Sequence, residues 1–248
     1  MTVITVGGYH FQCDTPIERY RAETLFTKEE GTVRWLLDQC SPSDVLYDIG
    51  ANIGLYTVVA ARRGTYVYAF EPHQANAAHL ADNVRLNIVA KLVAVLTQPL
   101  HSEAGERLFH YMSEEAGSSG SQLGHTISET GKVFQPVTSR VVHTTTIDHL
   151  VKARKIRPAT LVKLDVDGNE LDILRGMTKL LWETPPRQIQ VEMHPKDDLE
   201  IVSLLFTYDY DVVERHYTTI GKERLAKGVD PALITHNAIF KHRGKIVA

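Results

Sequence analysis

Apolar and polar positions settle into a regular rhythm from Val45 onward. The apolar runs VLYDIG, YVYAF and LVAVL are separated by helix-patterned stretches that end near Arg63 and Leu86. Short apolar runs alternating with helices of this length predict a parallel sheet with right-handed crossovers. After Leu100 the rhythm breaks into LFHY, a Ser/Gly-rich stretch from Ser113 to Thr126, and VVHTTT. It is restored by TLVKLD and by a helix after Asn169, whose Ile173, Leu174, Met177, Leu180 and Leu181 recur at the spacing of a core-facing stripe. QIQVEMH reads as the next strand, and YDVVERH with HNAIFK predicts an antiparallel pair at the far edge of the sheet. Ahead of the rhythm, Val3 to Phe11 alternates loosely like one short strand, and Ile17 to Gln39 reads as a helical flank or lid. The predicted architecture is α/β, a mostly parallel twisted sheet with an antiparallel edge hairpin. A single domain is expected, with a flank over 1–43, the core over 44–248 and a substrate-side insertion around 102–139. The polar Ser113 to Thr126 stretch has little apolar surface to hold it down, which predicts a lid that is mobile until an acceptor binds.

In open α/β sheets ligands bind beyond the carboxyl ends of the strands, so the residues just after each apolar run carry the chemistry. The first run ends in Asp48-Ile-Gly50-Ala-Asn52-Ile-Gly54, where Gly50 and Gly54 allow a tight turn and a close approach of the backbone to a ligand. The second ends in Phe70-Glu71-Pro72, which places a carboxylate where a ribose diol needs acceptors for its two hydroxyl protons. A dinucleotide site uses the same logic with the spacing G-x-G-x-x-G, whose middle glycine admits a pyrophosphate to a helix N-terminus. Here Ala51-Asn52 stands at that place, and Asp48 adds negative charge. The pattern suits a cationic cofactor without phosphate, such as S-adenosylmethionine, with Asp48, Gly50, Asn52, Gly54 and Glu71 as cofactor-binding residues. A purely structural explanation makes Gly50 and Gly54 an ordinary strand-to-helix turn and Glu71 a helix-start residue, and it has to account for both strand ends separately.

Composition narrows the partners. A net charge of -3 provides no global field to gather a polyanion, and no basic stripe with interleaved aromatics is visible, so no nucleic-acid partner is expected. Cys13 and Cys40 have no companions at zinc-ligand spacing, and buried free thiols are the expectation. Neither a secretory leader pattern nor a run of about 18 apolar residues occurs, so no membrane span and a cytoplasmic location are expected.

The segments VLYDIGANIGLYTVVAA, AFEPHQANAAHLADNVRLN, TTTIDHL and VKLDVDGNELDILRGM, in this order between Glu23 and His194, resemble the FkbM family of methyltransferases. The resemblance implies a class I methyltransferase fold of Rossmann-like type. It also implies S-adenosylmethionine as cofactor and a hydroxyl of a sugar, polyketide or related metabolite as acceptor. Carried over by residue, Asp48, Gly50, Asn52 and Gly54 would form the methionine side of the site and Glu71 would hold the ribose. Asn87 falls at the family's Asn-ending helix, where a C-cap role is the simpler explanation. Asp167 stands where the family often has Glu, one methylene longer. Pro99-Leu100-His101 replaces the family's Ala-Leu-Ser after the third strand, leaving the adenine contacts open.

Methyl transfer to oxygen is an in-line displacement that also needs a base, or a metal that acidifies the hydroxyl. The fourth main strand ends in Asp165 and Asp167, and the fifth in Glu192 and His194. Asp165 or His194 is the expected catalytic base, each with a plainer role as a helix-leading loop residue or a turn residue. A divalent metal could sit among these acids and the histidine, although no tight ligand motif compels it. His125 lies in the Gly/Ser-rich insertion expected to border a small-molecule or glycan acceptor. An RNA or protein methyltransferase, a non-catalytic cofactor-binding module and a nicotinamide-dependent reductase are the competing functions.

Overall fold

The computed structural model describes residues 2–128 and 131–244, which leaves two positions of the expected 102–139 insertion outside the described residues. The chain opens with a hairpin, β1 (Val3–Val6) and β2 (Tyr9–Gln12), in place of the single strand expected there. Gly7 and Gly8 account for the difference: both have positive φ, the geometry a two-residue hairpin turn requires. The following flank is two helices, α1 (Pro16–Glu23) and α2 (Glu30–Gln39), where one helical stretch was expected. Thr15 starts α1 with a reciprocal capping box to Glu18.

The core alternates as the sequence pattern predicts. It runs β3 (Val45–Ile49), α3 (Leu55–Arg62), β4 (Tyr66–Phe70), α4 (Gln74–Leu86) and β5 (Val93–Leu96). The insertion then supplies β6 (Gly105–Tyr111), β7 (Gln122–Leu123) and β8 (Thr138–Thr144), a separate three-stranded sheet ordered β7-β6-β8. After it come α5 (Ile147–Lys152), β9 (Leu161–Leu164), α6 (Glu170–Arg175), α7 (Thr178–Glu183) and β10 (Gln188–Met193). The chain closes with α8 (Asp198–Thr207), β11 (Tyr210–His216), α9 (Thr219–Ala226) and β12 (His236–His242).

The main sheet has the order β11-β12-β10-β9-β3-β4-β5, parallel from β10 to β5, with β12 antiparallel to both β10 and β11. Successive residues of a strand face opposite sides, and both sides are buried. In β3, Val45, Tyr47 and Ile49 enter one core with α5 to α8, while Leu46 enters the other with α2 to α4. Asn87 caps α4, and its side chain both donates to and accepts from the backbone of His10, which docks β2 on that helix. No helix among the described residues is long and apolar enough to cross a membrane.

Candidate active site

The parallel ladder continues one step beyond the strands and brings their ends into line. Gly50 N–H donates to Phe70 O, Glu71 N–H to Leu96 O, and Asp165 N–H to Ile49 O. Two adjoining clefts open over this edge. Gly50, Asn52, Glu71, Pro99, Leu100 and Ser118 are among the residues lining the first. Tyr56, Lys163 and Glu192 line the second. Arg21, Gly50, Asn52, Asp165 and Asp167 line both and mark their junction.

Gly50 has φ +81°, and a Cβ there would lie 1.7 Å from the carbonyl oxygen of Asp165, so glycine is required for β3 and β9 to approach at this point. Asn52 also turns left-handed, at φ +49°. Its N–H donates to Glu71 Oε2 at 2.7 Å, while His73 N–H donates to Oε1 at 2.8 Å. Glu71 is thereby fixed by two backbone donors, and each oxygen keeps a lone pair for a ligand. Burial pushes its carboxyl up to about 7 against the pull of those two hydrogen bonds.

Asp48 and Gly54, two of the expected cofactor residues, line neither cleft. Asp48 is fully buried, accepts the Thr57 hydroxyl at 2.6 Å and lies 3.5 Å from Lys163 Nζ. Its charge is spent on Lys163, which in turn donates to Asp165 Oδ2 at 3.0 Å. Burial works against the Lys163 ammonium, but Asp165 and Asp48 more than offset it and hold the lysine charged. Lys163 carries its own sequence signal: a lysine inside the buried run TLVKLD needs a carboxylate partner. Gly54 starts α3, and a Cβ there would press on Leu80.

Asp165 stays below the usual carboxylate range: burial raises it, and the Lys163 ammonium outweighs that. His194 is placed differently from the expectation of a group facing substrate. It is 1% exposed, lines neither cleft, and packs with Nε2 3.1 Å from Glu192 Oε2 and 3.7 Å from Glu170 Oε1. Burial disfavours its charge, but Glu170 and Glu192 push the imidazole up to about 11. Glu192 is the group of this set that reaches the second cleft, and burial, reinforced by the Asp165 carboxylate, raises it well above an ordinary glutamate. Glu170, Glu192 and His194 offer ligand atoms within 4.8 Å of one another, a spacing a cation could use.

The Ser113 to Thr126 stretch, expected to act as a lid, is hydrogen-bonded to residues of the strand ends and α4. Gly117 N–H donates to Asn76 Oδ1, Ser118 O accepts from both Asn52 and Asn76 side chains, and Gly120 N–H donates to Asp167 Oδ2. These polar anchors add to the burial of Leu123 against Phe109 and Tyr111, and Ser118, Ser119 and Ser121 form part of the wall of the first cleft. His125 lines neither cleft; its Nδ1 accepts from Ile127 N–H.

The strand order, with clefts at the carboxyl ends of the parallel strands, is that of the class I methyltransferase fold. The profile of the Methyltransferase FkbM domain matches residues 48–212, and the chain belongs to that family. It is 29% identical over 207 residues to hexuronic acid methyltransferase AglP of Haloferax volcanii, covering 81% of this chain and 79% of that protein. It is 26% identical over 197 residues to 31-O-demethyl-FK506 methyltransferase FkbM of Streptomyces tacrolimicus, covering 69% of this chain and 74% of that one. Among solved structures, methyltransferase FkbM from Methylobacillus flagellatus KT superposes with a TM-score of 0.55 at 18% identity. That match covers 82% of this chain but spans only 44% of the other.

Proposed function

We propose that the chain is an S-adenosylmethionine-dependent O-methyltransferase acting on a hydroxyl of a sugar, polyketide or related metabolite. The observation that carries this reading is the pair of clefts meeting at Asp165, with Glu71 in one and Glu192 in the other. The donor set fits the cofactor: Glu71 can accept both ribose hydroxyls, Gly50 and Asn52 give a close backbone, and the ionised Asp165 faces where positive charge would lie. When bound, the cofactor supplies an electrophilic methyl group on a sulfonium. Glu192 would take the acceptor's hydroxyl proton, and His194 would hold and tune Glu192 from behind. Asp165, bonded to Lys163 and kept ionised, is the weaker base. The names of the two curated relatives point to acceptors of this kind, a hexuronic acid and an O-demethylated metabolite. The deciding experiment is methyl release from labelled cofactor across hexuronic acids, neutral glycosides, polyketides, RNA and peptides. Transfer only to RNA or peptide overturns the acceptor assignment.

Glu71→Ala is expected to weaken S-adenosylhomocysteine binding more than tenfold, because charged acceptors to hydroxyl donors contribute about 1.5 to 3 kcal/mol. Calorimetry checks this, and unchanged affinity removes the ribose role. In the parent, affinity should fall as pH drops through about 7, where the Glu71 carboxylate takes up its proton. The stability sign is opposite. With its folded value raised from 4.5 to about 7, Glu71 favours the folded state below 4.5, and that contribution is lost as pH rises through about 7.

The ligand spacing of Glu170, Glu192 and His194 supports a second reading, a divalent ion that acidifies the acceptor hydroxyl. Chelation separates the two. A base mechanism predicts an unchanged rate after exhaustive chelation, and a metal mechanism predicts loss that added divalent ion restores.

A further inference from the structure

Arg21 is the guanidinium at the junction of the two clefts, and nothing in the proposed reaction yet uses it. It projects from the last turn of α1 and is half-buried. Its Nε donates to Gly117 O at 2.6 Å, which sets the plane of the group against the anchored insertion. Among the described residues no carboxylate pairs with it and no acceptor meets its two terminal nitrogens. A guanidinium half out of water with its two terminal donors free and its orientation fixed is arranged to receive a planar anion in a two-point contact. Across the junction, Asp165 is held ionised by Lys163 and, more weakly, by Lys28 and Arg21. The junction therefore presents a fixed cation on the α1 side and a fixed anion on the β9 side. That is the complement of an amino-acid zwitterion.

We infer that Arg21 binds the α-carboxylate of the cofactor's methionine tail, with Asp165 opposite the α-ammonium. This rests on the S-adenosylmethionine reading above and adds to it the group that reads the tail. It also gives the N-terminal flank a function. Thr15 Oγ1 donates to Ala116 O and Arg21 Nε to Gly117 O, so α1 and the insertion are joined to each other directly beside the site. Cofactor binding at Arg21 would tighten both.

The test compares two ligands that differ by the amino-acid tail, S-adenosylhomocysteine and 5′-methylthioadenosine, binding by calorimetry to the full chain and to Arg21→Gln. The expected result is a loss of tenfold or more for S-adenosylhomocysteine, with 5′-methylthioadenosine within twofold of the parent and partial recovery in Arg21→Lys. Equal losses for both ligands would show that Arg21 only props the insertion through Gly117 and would overturn the inference, as would no loss for either. If S-adenosylhomocysteine binding is kept but the KM rises for an acidic acceptor and not for a neutral one, the carboxylate site belongs to the acceptor, and the cofactor assignment falls. A parent that binds neither adenosyl ligand defeats the S-adenosylmethionine reading itself, and is told apart from the other results by the wild-type arm alone.

Discussion

Replacing Glu192 by Gln should lower the methyl-transfer rate by at least about a hundredfold at neutral pH, while S-adenosylhomocysteine affinity stays within about threefold of the parent. Removing a general base typically costs a factor of about 100 to 10,000. The amide keeps the size of the side chain and one acceptor, so a large effect reports the lost proton acceptor and little else. Because burial and the neighbouring Asp165 charge raise the Glu192 carboxyl, the basic form is populated only above the ordinary glutamate range. The parent rate should accordingly climb with pH through one ionisation, and Glu192→Gln should lose that limb. His194→Gln supplies the second arm. It removes the imidazolium 3.1 Å behind Glu192, which should shift the ionisation upward and reduce the neutral-pH rate without abolishing it. Asp165→Asn should act chiefly on cofactor affinity. A Glu192→Gln enzyme of near-parent rate would send the search for the base back to Asp165 and Asp167.

Much of this arrangement is visible in the sequence because strand ends are punctuated. VLYDIG and YVYAFEP announce where two parallel strands stop, and the Gly50 and Glu71 positions follow directly from that. What lies behind the strand ends is harder to read. Asp48 looks like a cofactor contact because it precedes the glycine turn, yet the register sets it opposite Lys163, and a buried lysine takes its charge. His194 looks like a catalytic strand-end histidine, yet the start of α6 brings Glu170 against it from a segment more than twenty residues away. Such pairings are decided by tertiary packing, to which local patterns are blind. The contacts of the Ser113 to Thr126 segment are hidden from its sequence for a related reason. Its composition offers few apolar anchors beyond Leu123, and it is also bonded to Asn52, Asn76 and Asp167, polar partners on three different strand ends or helices. The Gly7-Gly8 turn, by contrast, carries a readable hairpin signal that loose alternation obscures.

Gly50→Ala should abolish measurable cofactor binding and lower folding stability by about 3 kcal/mol or more, an effect in the range reserved for strained or overpacked sites. Two costs add at this position. A non-glycine residue held at φ +81° carries on the order of 1 to 3 kcal/mol of backbone strain. The new methyl would also lie 1.7 Å from Asp165 O, a backbone atom of a residue whose own N–H is bonded to Ile49 O, so relief requires the two strand ends to move apart. That movement displaces Gly50, Asn52 and Asp165 together, which are three of the residues at the junction of the clefts, and it strains the Asn52 N–H donation that holds Glu71. Gly54→Ala is the informative control. It has nearly the same φ, +86°, but its methyl would meet the Leu80 side chain at 2.8 Å, a group that can shift more readily than a backbone carbonyl. Gly54→Ala should therefore show the strain cost with only part of the packing cost, and should retain cofactor binding. Denaturant unfolding gives the two stability losses, and calorimetry with S-adenosylhomocysteine gives the affinities. If Gly50→Ala binds as well as Gly54→Ala does, the close approach of β3 and β9 is not what shapes the cofactor cleft.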